Sequence, residues 1–362
     1  MKAHLPKSAS LLLLAAFSGV LAAPATGQTV TVIPGSIRGV SADGQVVVGN
    51  YSGSAFTWTP TQGTTRLVDL GVSNIFSAYG ISGNGQVVIG SFGGANGARW
   101  SQATGLQDFQ FVPGYNFGQQ AVSGSNDGSI AAGFVTKRVA NNFYVSQSVR
   151  WGPDGTYSFI GSYNTLGTNR ARAISRDGST IIGTAFDETA AYKWTEAGNI
   201  QILPYLLGNQ ANSSVAAALS GNGQFIVGLS NDRSVIWHDS TVTELRLADG
   251  QSGLSSASAV SDDGTVVAGA VRDLVRNDGS YVAGVWTPTT QFIPLTDYLA
   301  SFGIQVPAGV RLTNVTGISA DGRTFVGDTN ILSMDFVVTI PAPAGLPILL
   351  GSVFLASRRR RA

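Results

Sequence analysis

The chain has 362 residues, of which 46 are glycine and only 12% are charged. It contains no cysteine, which excludes disulfides, thiolate metal sites and a cysteine nucleophile. The 22 lysines and arginines nearly balance the 21 aspartates and glutamates, but six of the basic residues and none of the acidic ones lie in the two terminal segments. The segment between them, 28–340, therefore has a net charge of −5, which argues against a nucleic-acid partner.

The N-terminal segment 1–27 has the pattern of a secretory signal peptide. Lys2 and Lys7 give it a basic start, residues 11–23 are mostly apolar, and Ala23-Pro24-Ala25 resembles a small-residue cleavage site. The apolar run is shorter than the roughly 20 residues that a membrane-spanning helix needs. We therefore favour a cleaved signal, and hence export, over an N-terminal membrane anchor.

From Gly39 onwards one pattern recurs seven times. Its fullest copy reads G-V-S-A-D-G, then Q-V-V-V-G, then A-F-T-W, and in the seventh copy Phe336 stands near the tryptophan position. The turn glycines are spaced by 41 to 58 residues, a period typical of repeat architectures. The repeated residues are Asp43, Gly44, Trp58, Gly85, Trp100, Gly128, Trp151, Gly178, Trp194, Gly223, Trp237, Gly264, Trp286 and Gly322.

Each repeat predicts four short strands. The first ends at the motif serine, an Asp-Gly or Asn-Gly pair predicts a tight hairpin turn, and the second and third strands carry the β-branched run and the tryptophan. Fourth strands are predicted at Thr65–Leu70, Leu106–Phe111, Tyr157–Ile160, Ile200–Leu203, Val242–Leu247 and Phe292–Leu295. Four strands in a repeat of this length match a propeller blade. We therefore predict an all-β fold, a seven-bladed β-propeller of four-stranded blades.

The seventh repeat lacks a fourth strand after Phe336–Ile340, whereas Thr29–Pro34 resembles a fourth strand that has no repeat of its own. We predict that this N-terminal strand completes the last blade and closes the ring. A β-solenoid adhesin is the alternative, and it would need separate capping ends. The extra residues of the long repeats, at Thr136–Ser146, near Val271–Tyr281 and at Ala300–Thr316, are interpreted as loop insertions.

Few residues suggest chemistry. His238 is the only histidine of segment 28–340, and no catalytic, phosphate-binding or zinc motif is present, so we predict no cofactor, no metal and no catalytic residue. The recurring aspartates (Asp43 and its counterparts) are assigned to turns rather than to calcium. The tryptophans are assigned to packing between blades rather than to sugar stacking. The only glutamates, Glu188, Glu196 and Glu244, give no sign of a catalytic pair.

The repeat resembles the HAF family of probable extracellular repeats, whose pattern joins G-I-S-x-D-G, V-V-G, A-F-x-W and D-L-G. Residues Gly39–Gly71 carry all four parts, and the other copies keep the first half and the tryptophan. The resemblance implies an extracellular, propeller-like protein and no assigned reaction.

The C-terminal segment 341–362 resembles the PEP-CTERM family of bacterial sorting signals, in its V-P-L-P-A-G-L-P variant. Pro341, Pro343 and Pro347 precede a short apolar run, and Arg358, Arg359, Arg360 and Arg361 follow it. The resemblance implies transient insertion in the inner membrane and processing by an exosortase-type enzyme. Ala342 stands where the family motif has a glutamate. The alternative is an unprocessed anchor with its arginines in the cytoplasm.

These features predict an exported cell-surface or extracellular-matrix protein that acts as a non-catalytic binding or structural module, and so not an enzyme. Aromatic and basic residues in the insertions, such as Lys137 and Arg138 with Phe143 and Tyr144, would suit an extracellular polysaccharide or a surface protein as the partner. The alternative function is a secreted polysaccharide-active enzyme on a propeller scaffold.

Overall fold

The computed structural model describes residues 30–72, 76–93, 96–140, 143–161, 167–197, 200–207, 212–248, 255–273, 275–276 and 278–342. The predicted signal peptide lies outside these residues, and so does the predicted sorting tail from Pro343 to Ala362, with all four of its arginines. Both assignments therefore stay predictions. Across the described ranges, we find no helix with the length and apolar character to cross a membrane.

The described residues form seven four-stranded antiparallel sheets, which we number as blades 1–7 in chain order. The strands are β1 (Thr31–Pro34); in blade 1 β2 (Ser36–Val40), β3 (Val47–Tyr51), β4 (Ser54–Thr59) and β5 (Gly63–Arg66); in blade 2 β6 (Phe76–Ile81), β7 (Val87–Phe92), β8 (Asn96–Ser101) and β9 (Gly105–Asp108); in blade 3 β10 (Gly118–Gly124), β11 (Ala131–Ala140), β12 (Phe143–Trp151) and β13 (Tyr157–Phe159); in blade 4 β14 (Arg170–Ile174), β15 (Thr180–Ala185), β16 (Ala190–Thr195) and β17 (Ile200–Ile202); in blade 5 β18 (Ser214–Leu219), β19 (Ile226–Ser230), β20 (Arg233–His238) and β21 (Thr241–Glu244); in blade 6 β22 (Ser255–Val260), β23 (Val267–Arg272), β24 (Tyr281–Trp286) and β25 (Ile293–Pro294); and in blade 7 β26 (Leu312–Ile318), β27 (Thr324–Thr329) and β28 (Met334–Thr339). A 3₁₀ helix spans Leu67–Leu70, and helix α1 spans Leu295–Ala300.

The sheets are arranged as a ring. The first strand of every blade contacts the first strands of both neighbouring blades, so these seven strands surround the axis. Strand β1 pairs with β28, with Thr31 opposite Val337 and Pro34 opposite Met334, and supplies the fourth strand of blade 7. The predicted seven-bladed β-propeller, closed by an N-terminal strand, is confirmed. The solenoid alternative is wrong, because the two ends of the array share one sheet rather than capping it separately.

Side-chain hydrogen bonds fix the hairpin between the first and second strands of each blade. In blade 1, the Ser41 hydroxyl donates to Asp43 Oδ1 at 2.5 Å and accepts from the Val46 N–H at 2.9 Å, while Asp43 Oδ1 also accepts from the Gln45 N–H at 3.0 Å. Gly44 has φ = 72°, a conformation that glycine adopts without strain. These bonds explain why serine and Asp or Asn recur at this spacing.

Every inner strand carries a β-bulge at the same place. The bulged residue is skipped in the pairing with the second strand, which increases the local twist and changes the direction of nearby side chains. The bulged residues at this place are Arg38, Tyr79, Val122, Arg172, Ala217, Ser258 and Thr316, and β26 has a second bulge at Thr313.

The hydrophobic core lies between the blades, where the tryptophans pack. Trp151 is fully buried and stacks on Phe109 with ring centroids 5.2 Å apart, and Trp237 is 2% exposed. Trp194 and Trp286 are half-buried. In blade 7 the tryptophan position is occupied by Val338, which stands opposite Phe325 as Trp58 stands opposite Val47. Phe336, two residues earlier, corresponds to Phe56.

The interpretation of Thr136–Ser146 as a loop insertion is also wrong. In the described residues β11 runs to Ala140 and β12 begins at Phe143, so most of the extra residues lengthen the two strands. The paired residues include Thr136 with Ser146 and Arg138 with Tyr144. The inserted aromatic and basic side chains consequently stand on a stiff hairpin.

Candidate functional site on the loop face

The ring has two unlike ends. Antiparallel strands place the first-to-second and third-to-fourth connections of every blade at one end, which we call the turn face. The second-to-third connections and the links between blades lie at the other end, the loop face. The serine-containing turns belong to the turn face, and the lengthened β11–β12 hairpin belongs to the loop face.

A closed belt of hydrogen bonds joins the seven turns at the turn face. Each turn donates a backbone N–H to the turn of the next blade, and six of the acceptors are backbone carbonyls. The bonds run from Ala42 to Gly83, from Asn84 to Asn126, from Asn126 to Arg176, from Arg176 to Gly221, from Gly221 to the Asp262 carboxylate, from Asp262 to Ala320 and from Ala320 back to Ala42.

An arginine crosses the axis inside this belt. The guanidinium of Arg176 in blade 4 pairs with the carboxylate of Asp262 in blade 6. A Cβ atom built on Gly221 would lie 2.1 Å from Arg176 Nε, and one built on Gly83, in blade 2, would lie 3.0 Å from its Cδ. Because one side chain approaches blades 2, 5 and 6 together, it obstructs the turn-face end of the axis. A ligand that reaches the axis is therefore expected to enter from the loop face.

Phe117 and Tyr144 of blade 3 form an aromatic patch at the loop face. Phe143, at the tip of the β11–β12 hairpin, and Lys137, which covers the buried Tyr115, point to the opposite side of that hairpin. The rings of Phe117 and Tyr144 lie 4.5 Å apart, and Lys137 Nζ lies 4.9 Å from the centroid of Tyr115. Phe117 is 53% exposed and Phe143 is 52% exposed. Exposed aromatic surface of this kind is typical of interaction sites rather than of a monomer's ordinary exterior.

Blade 4 contributes an arginine pair, Arg170 and Arg172 of β14, next to this patch. Both guanidinium groups bind the same oxygen of Glu188, at 3.2 Å and 3.1 Å. Arg170 Nε also donates to the Ser146 hydroxyl of the long hairpin at 3.3 Å. Glu188 lies in the tight turn between β15 and β16, with φ = 68°. Arg172 reaches it from the bulged position of β14.

A cleft of about 500 Å³ continues the loop face across blades 5, 6 and 7. Asp232 borders it from blade 5, Tyr281 and Ser256 from blade 6, and Asn314 from blade 7. The Asn314 side chain donates to Asp328 Oδ2 at 3.2 Å, which places a further carboxylate beside the cleft. The cleft is thus mainly apolar in its lining, which includes Leu229 and Ala270, with a carboxylate on each side of it and a phenol between them.

Hydrogen bonds connect the arginine pair to the cleft. The turn that holds Glu188 accepts, at the Thr189 carbonyl, a 2.9 Å bond from the Ser214 N–H of blade 5. The neighbouring Ser213 carbonyl accepts from the N–H of Asn231, which adjoins Asp232. The aromatic patch, the arginine pair and the cleft therefore follow one another over blades 3 to 7.

The other residues singled out from the sequence are dispersed. Glu188, Glu196 and Glu244 lie apart and each pairs with arginine, as in Glu196 with Arg150 at 3.2 Å, so they form no catalytic pair. His238 stacks on Phe225 near the turn face. Within the described ranges no group of three or more His, Asp or Glu residues could hold a metal ion. The arginine pair, Asp232 and Asp328 were not predicted from the sequence. A charged residue at the bulged position of an inner strand is the one signal that could have indicated Arg172.

The sequence matches no protein-family model and no curated protein. Among solved structures, it is similar to an oligogalacturonate lyase in complex with manganese, at 14% identity and a TM-score of 0.57. It is also similar to the oligogalacturonate lyase of Vibrio parahaemolyticus, at 11% identity and a TM-score of 0.59. Each comparison covers 86% of this chain and 91% of the other. At these identities the likeness shows the propeller fold alone.

These neighbours correct the functional prediction. A non-catalytic binding or structural module was the first prediction, whereas the two solved structures described above are named as enzymes. The comparisons favour the alternative, a polysaccharide-active enzyme on a propeller scaffold. That alternative is therefore taken up as the proposed function.

Proposed function

We propose that this protein is an enzyme that cleaves an acidic polysaccharide on the loop face of the propeller. The observation that carries the proposal is the arginine pair Arg170 and Arg172, which lies between an exposed aromatic patch and a cleft bordered by Asp232 and Tyr281. The similar structures are named for lyases of an acidic oligosaccharide, which supports the choice of substrate class.

The arginine pair suits a carboxylate ligand. Two guanidinium groups share one carboxylate, Glu188, and a guanidinium has five N–H donors in a planar fork that matches carboxylate geometry. The side chains of Arg170 and Arg172 are 39% and 42% exposed, so they can meet a ligand from solvent. The excess positive charge here contrasts with the net charge of −5 of segment 28–340 and favours an acidic sugar.

The aromatic patch suits the rest of the sugar chain. A pyranose ring has C–H faces that pack against aromatic rings, and Phe117 and Tyr144 expose ring surface on the side of the hairpin that faces the arginine pair. A chain that bound both features would extend from blade 3 towards the cleft. In this proposal one sugar carboxylate binds the guanidinium groups while the next units enter the cleft.

The cleft supplies groups that can transfer protons. Aspartate and tyrosine act as general acids and bases in enzymes, and Asp232, Tyr281 and Asp328 lie at or beside the cleft. Bond cleavage would require one of them to take a proton from water or from the sugar, and another to protonate the leaving oxygen. No step is assigned to a metal ion.

The test is an activity assay with matched variants. The purified protein is incubated with polygalacturonate, alginate and a neutral glucan, and chain length, new reducing ends and unsaturated ends are measured. We expect shortening of an acidic polymer only, with unsaturated ends for elimination and none for hydrolysis. Loss of a charge-assisted contact costs about 1.5–3 kcal/mol, so Arg170→Gln with Arg172→Gln should raise KM about tenfold or more. Tyr281→Phe and Asp232→Asn should lower kcat.

Arg246→Gln is the control, because Arg246 is an exposed arginine that also pairs with a glutamate, in the segment after the outer strand β21. It should leave KM unchanged. If none of the acidic polymers is shortened at any concentration of protein, the enzymatic proposal is wrong.

We also propose that this activity is extracellular. The support is the sequence pattern of segments 1–27 and 341–362, which is that of an exported protein with a C-terminal sorting tail. An extracellular location would give the loop face access to a polymer too large to enter a cell.

A further inference from the structure

A second cleft, of about 230 Å³, lies between blades 4 and 5 near the turn face. It is bordered by Lys193 and Gln201 from blade 4 and by Gln224, Trp237, His238 and Asp239 from blade 5. We call it the 4–5 groove. It lies at the opposite end of the propeller from the loop face, and the proposed reaction makes no use of it.

The equivalent groove between blades 2 and 3 is filled by an arginine. Arg99 stands opposite Ile89 in blade 2, and Lys193 stands opposite Ile182 in blade 4. The two residues therefore hold equivalent positions in their blades. Its guanidinium donates to Gln107 Oε1 at 3.0 Å, to the Ser129 carbonyl at 2.9 Å and to the Pro153 carbonyl at 2.9 Å. One side chain of blade 2 thus satisfies acceptors of blade 3 and occupies the space between the blades.

The groove between blades 3 and 4 is bridged in a similar way. Arg150, opposite Ala132, holds the same register, and its guanidinium pairs with Glu196 of blade 4 at 3.2 Å. The arginine side chain is only 16% exposed. Two successive blades therefore use a guanidinium at this position to cross to the next blade.

In blade 4 the corresponding residue is a lysine. Its Nζ makes a long contact of 3.4 Å with the Gly223 carbonyl, which is the counterpart of the Gly128 carbonyl that Arg99 also contacts. The carboxylate that corresponds to Glu196 is Asp239, and it lies 3.4 Å from His238 Nε2. Gln201 stands opposite Lys193, as Gln107 stands opposite Arg99. The 4–5 groove thus keeps groups that accept hydrogen bonds from a guanidinium in the equivalent grooves. It has a lysine in place of the arginine, so its space stays open.

We propose that the 4–5 groove binds a single acidic sugar, with its carboxylate on the Lys193 ammonium group and its hydroxyls on Gln201, Gln224 and the Gly223 carbonyl. The volume fits one pyranose ring and not a longer chain. An ammonium group accepts a carboxylate partner, and two amide side chains with a carbonyl offer donors and acceptors to a polyol. The choice of an acidic sugar rests on the proposed function, because its substrate would release such units.

The experiment is calorimetric titration of the full chain with galacturonate and glucuronate. Galactose, which lacks the carboxylate, and acetate, which lacks the hydroxyls, are the matched control ligands. All titrations use the Arg170→Gln, Arg172→Gln background, so that binding at the loop face does not contribute. We expect one binding site for a uronate. Galactose and acetate should bind about tenfold more weakly or worse, because each loses a charge-assisted or polar contact.

Lys193→Arg is the decisive variant. Its guanidinium should fill the groove as Arg99 fills the equivalent one, so uronate binding should fall about tenfold or more while the thermal midpoint stays equal or rises. Lys193→Gln, which keeps the groove open without the charge, should also weaken binding. Polymer cleavage by Lys193→Arg in the otherwise native chain should be unchanged, which separates this site from the loop-face site.

Three outcomes would overturn the proposal. They are equal uronate affinity in the Lys193→Arg variant, galactose binding as tight as galacturonate binding, and an absence of uronate binding at millimolar concentrations. None of them depends on whether the loop face is catalytic, because the monosaccharide is bound and not cleaved.

Discussion

The Asp335 carboxylate in β28 accepts a 2.6 Å hydrogen bond from the backbone N–H of Ile37 in β2, which ties the last blade to the first. Asp335 stands directly opposite Asp328 on β27. Burial, and then the charge of Asp328, raise the pKa of Asp335 to about 6, although the Ile37 hydrogen bond and Arg38 act in the other direction. The seam that closes the ring therefore contains a carboxyl group that titrates in mildly acidic solution.

This seam should be more stable in acid than at neutral pH. The folded pKa of Asp335 lies above the unfolded value, so its contribution to stability is complete below about pH 4 and is lost as the pH rises through about 6. Asp335→Asn removes the titration and keeps the acceptor. The free energy of unfolding of this variant, minus that of the native chain, should rise by up to about 2 kcal/mol between pH 4 and pH 7.

Denaturant unfolding at a series of pH values measures this difference, in which the contributions of carboxylates that do not interact with Asp335 cancel. These include Asp177, whose pKa is lowered by the Ser175 hydroxyl and then by the Ser179 N–H. A difference between variant and native chain that does not change with pH would contradict the assignment.

The N-terminal strand should determine the stability of the whole ring. Ile33 of β1 is 3% exposed and packs with Ile37 and Val337, so Ile33→Ala should cost about 3 kcal/mol. Thr31→Ala, in the same strand but at an exposed position, is the control. Deletion of residues 28–35 should lower the thermal midpoint by many degrees, and an unchanged midpoint would contradict closure by β1.

The tryptophans should differ in their contributions to stability according to burial. Trp151 is fully buried against Phe109, so Trp151→Ala should cost about 3–5 kcal/mol of unfolding free energy. Trp194 holds the matching position in blade 4 but is half-buried, and Trp194→Ala should cost less. Equal losses in chemical denaturation would show that the two residues do not act mainly as packing wedges.

The four C-terminal arginines should direct sorting. Replacing Arg358 to Arg361 with serine removes the basic end of the predicted tail, and we expect the protein to miss its normal location because a sorting or membrane-retention signal of this type needs its positive end. Cell fractionation with size analysis measures both location and processing. Lys137→Ser with Arg138→Ser is the control for loss of positive charge. Normal processing of the arginine variant would argue against a sorting tail.

The sequence predicts the fold of this protein better than its candidate site, because the fold depends on local contacts and the site on distant ones. The hairpin turns depend on local contacts, such as Ser41 with Asp43, and these repeat visibly along the chain. The site depends on residues that occur once and meet across blades or across a bulge. Arg172 and Glu188 are 16 residues apart, and Arg176 and Asp262 are 86 apart, so neither pair has a local signature.

The obstructed turn face has a topological consequence. Because Arg176 contacts the turns of blades 2, 5 and 6, a polymer bound on the loop face has no path through the ring at the turn face. If the protein cleaves such a polymer, as we propose, the chain is held between cleavage events only by its contacts with the loop face. Release after each encounter is then the expected behaviour, and the products should become shorter throughout the sample rather than being trimmed along one chain at a time.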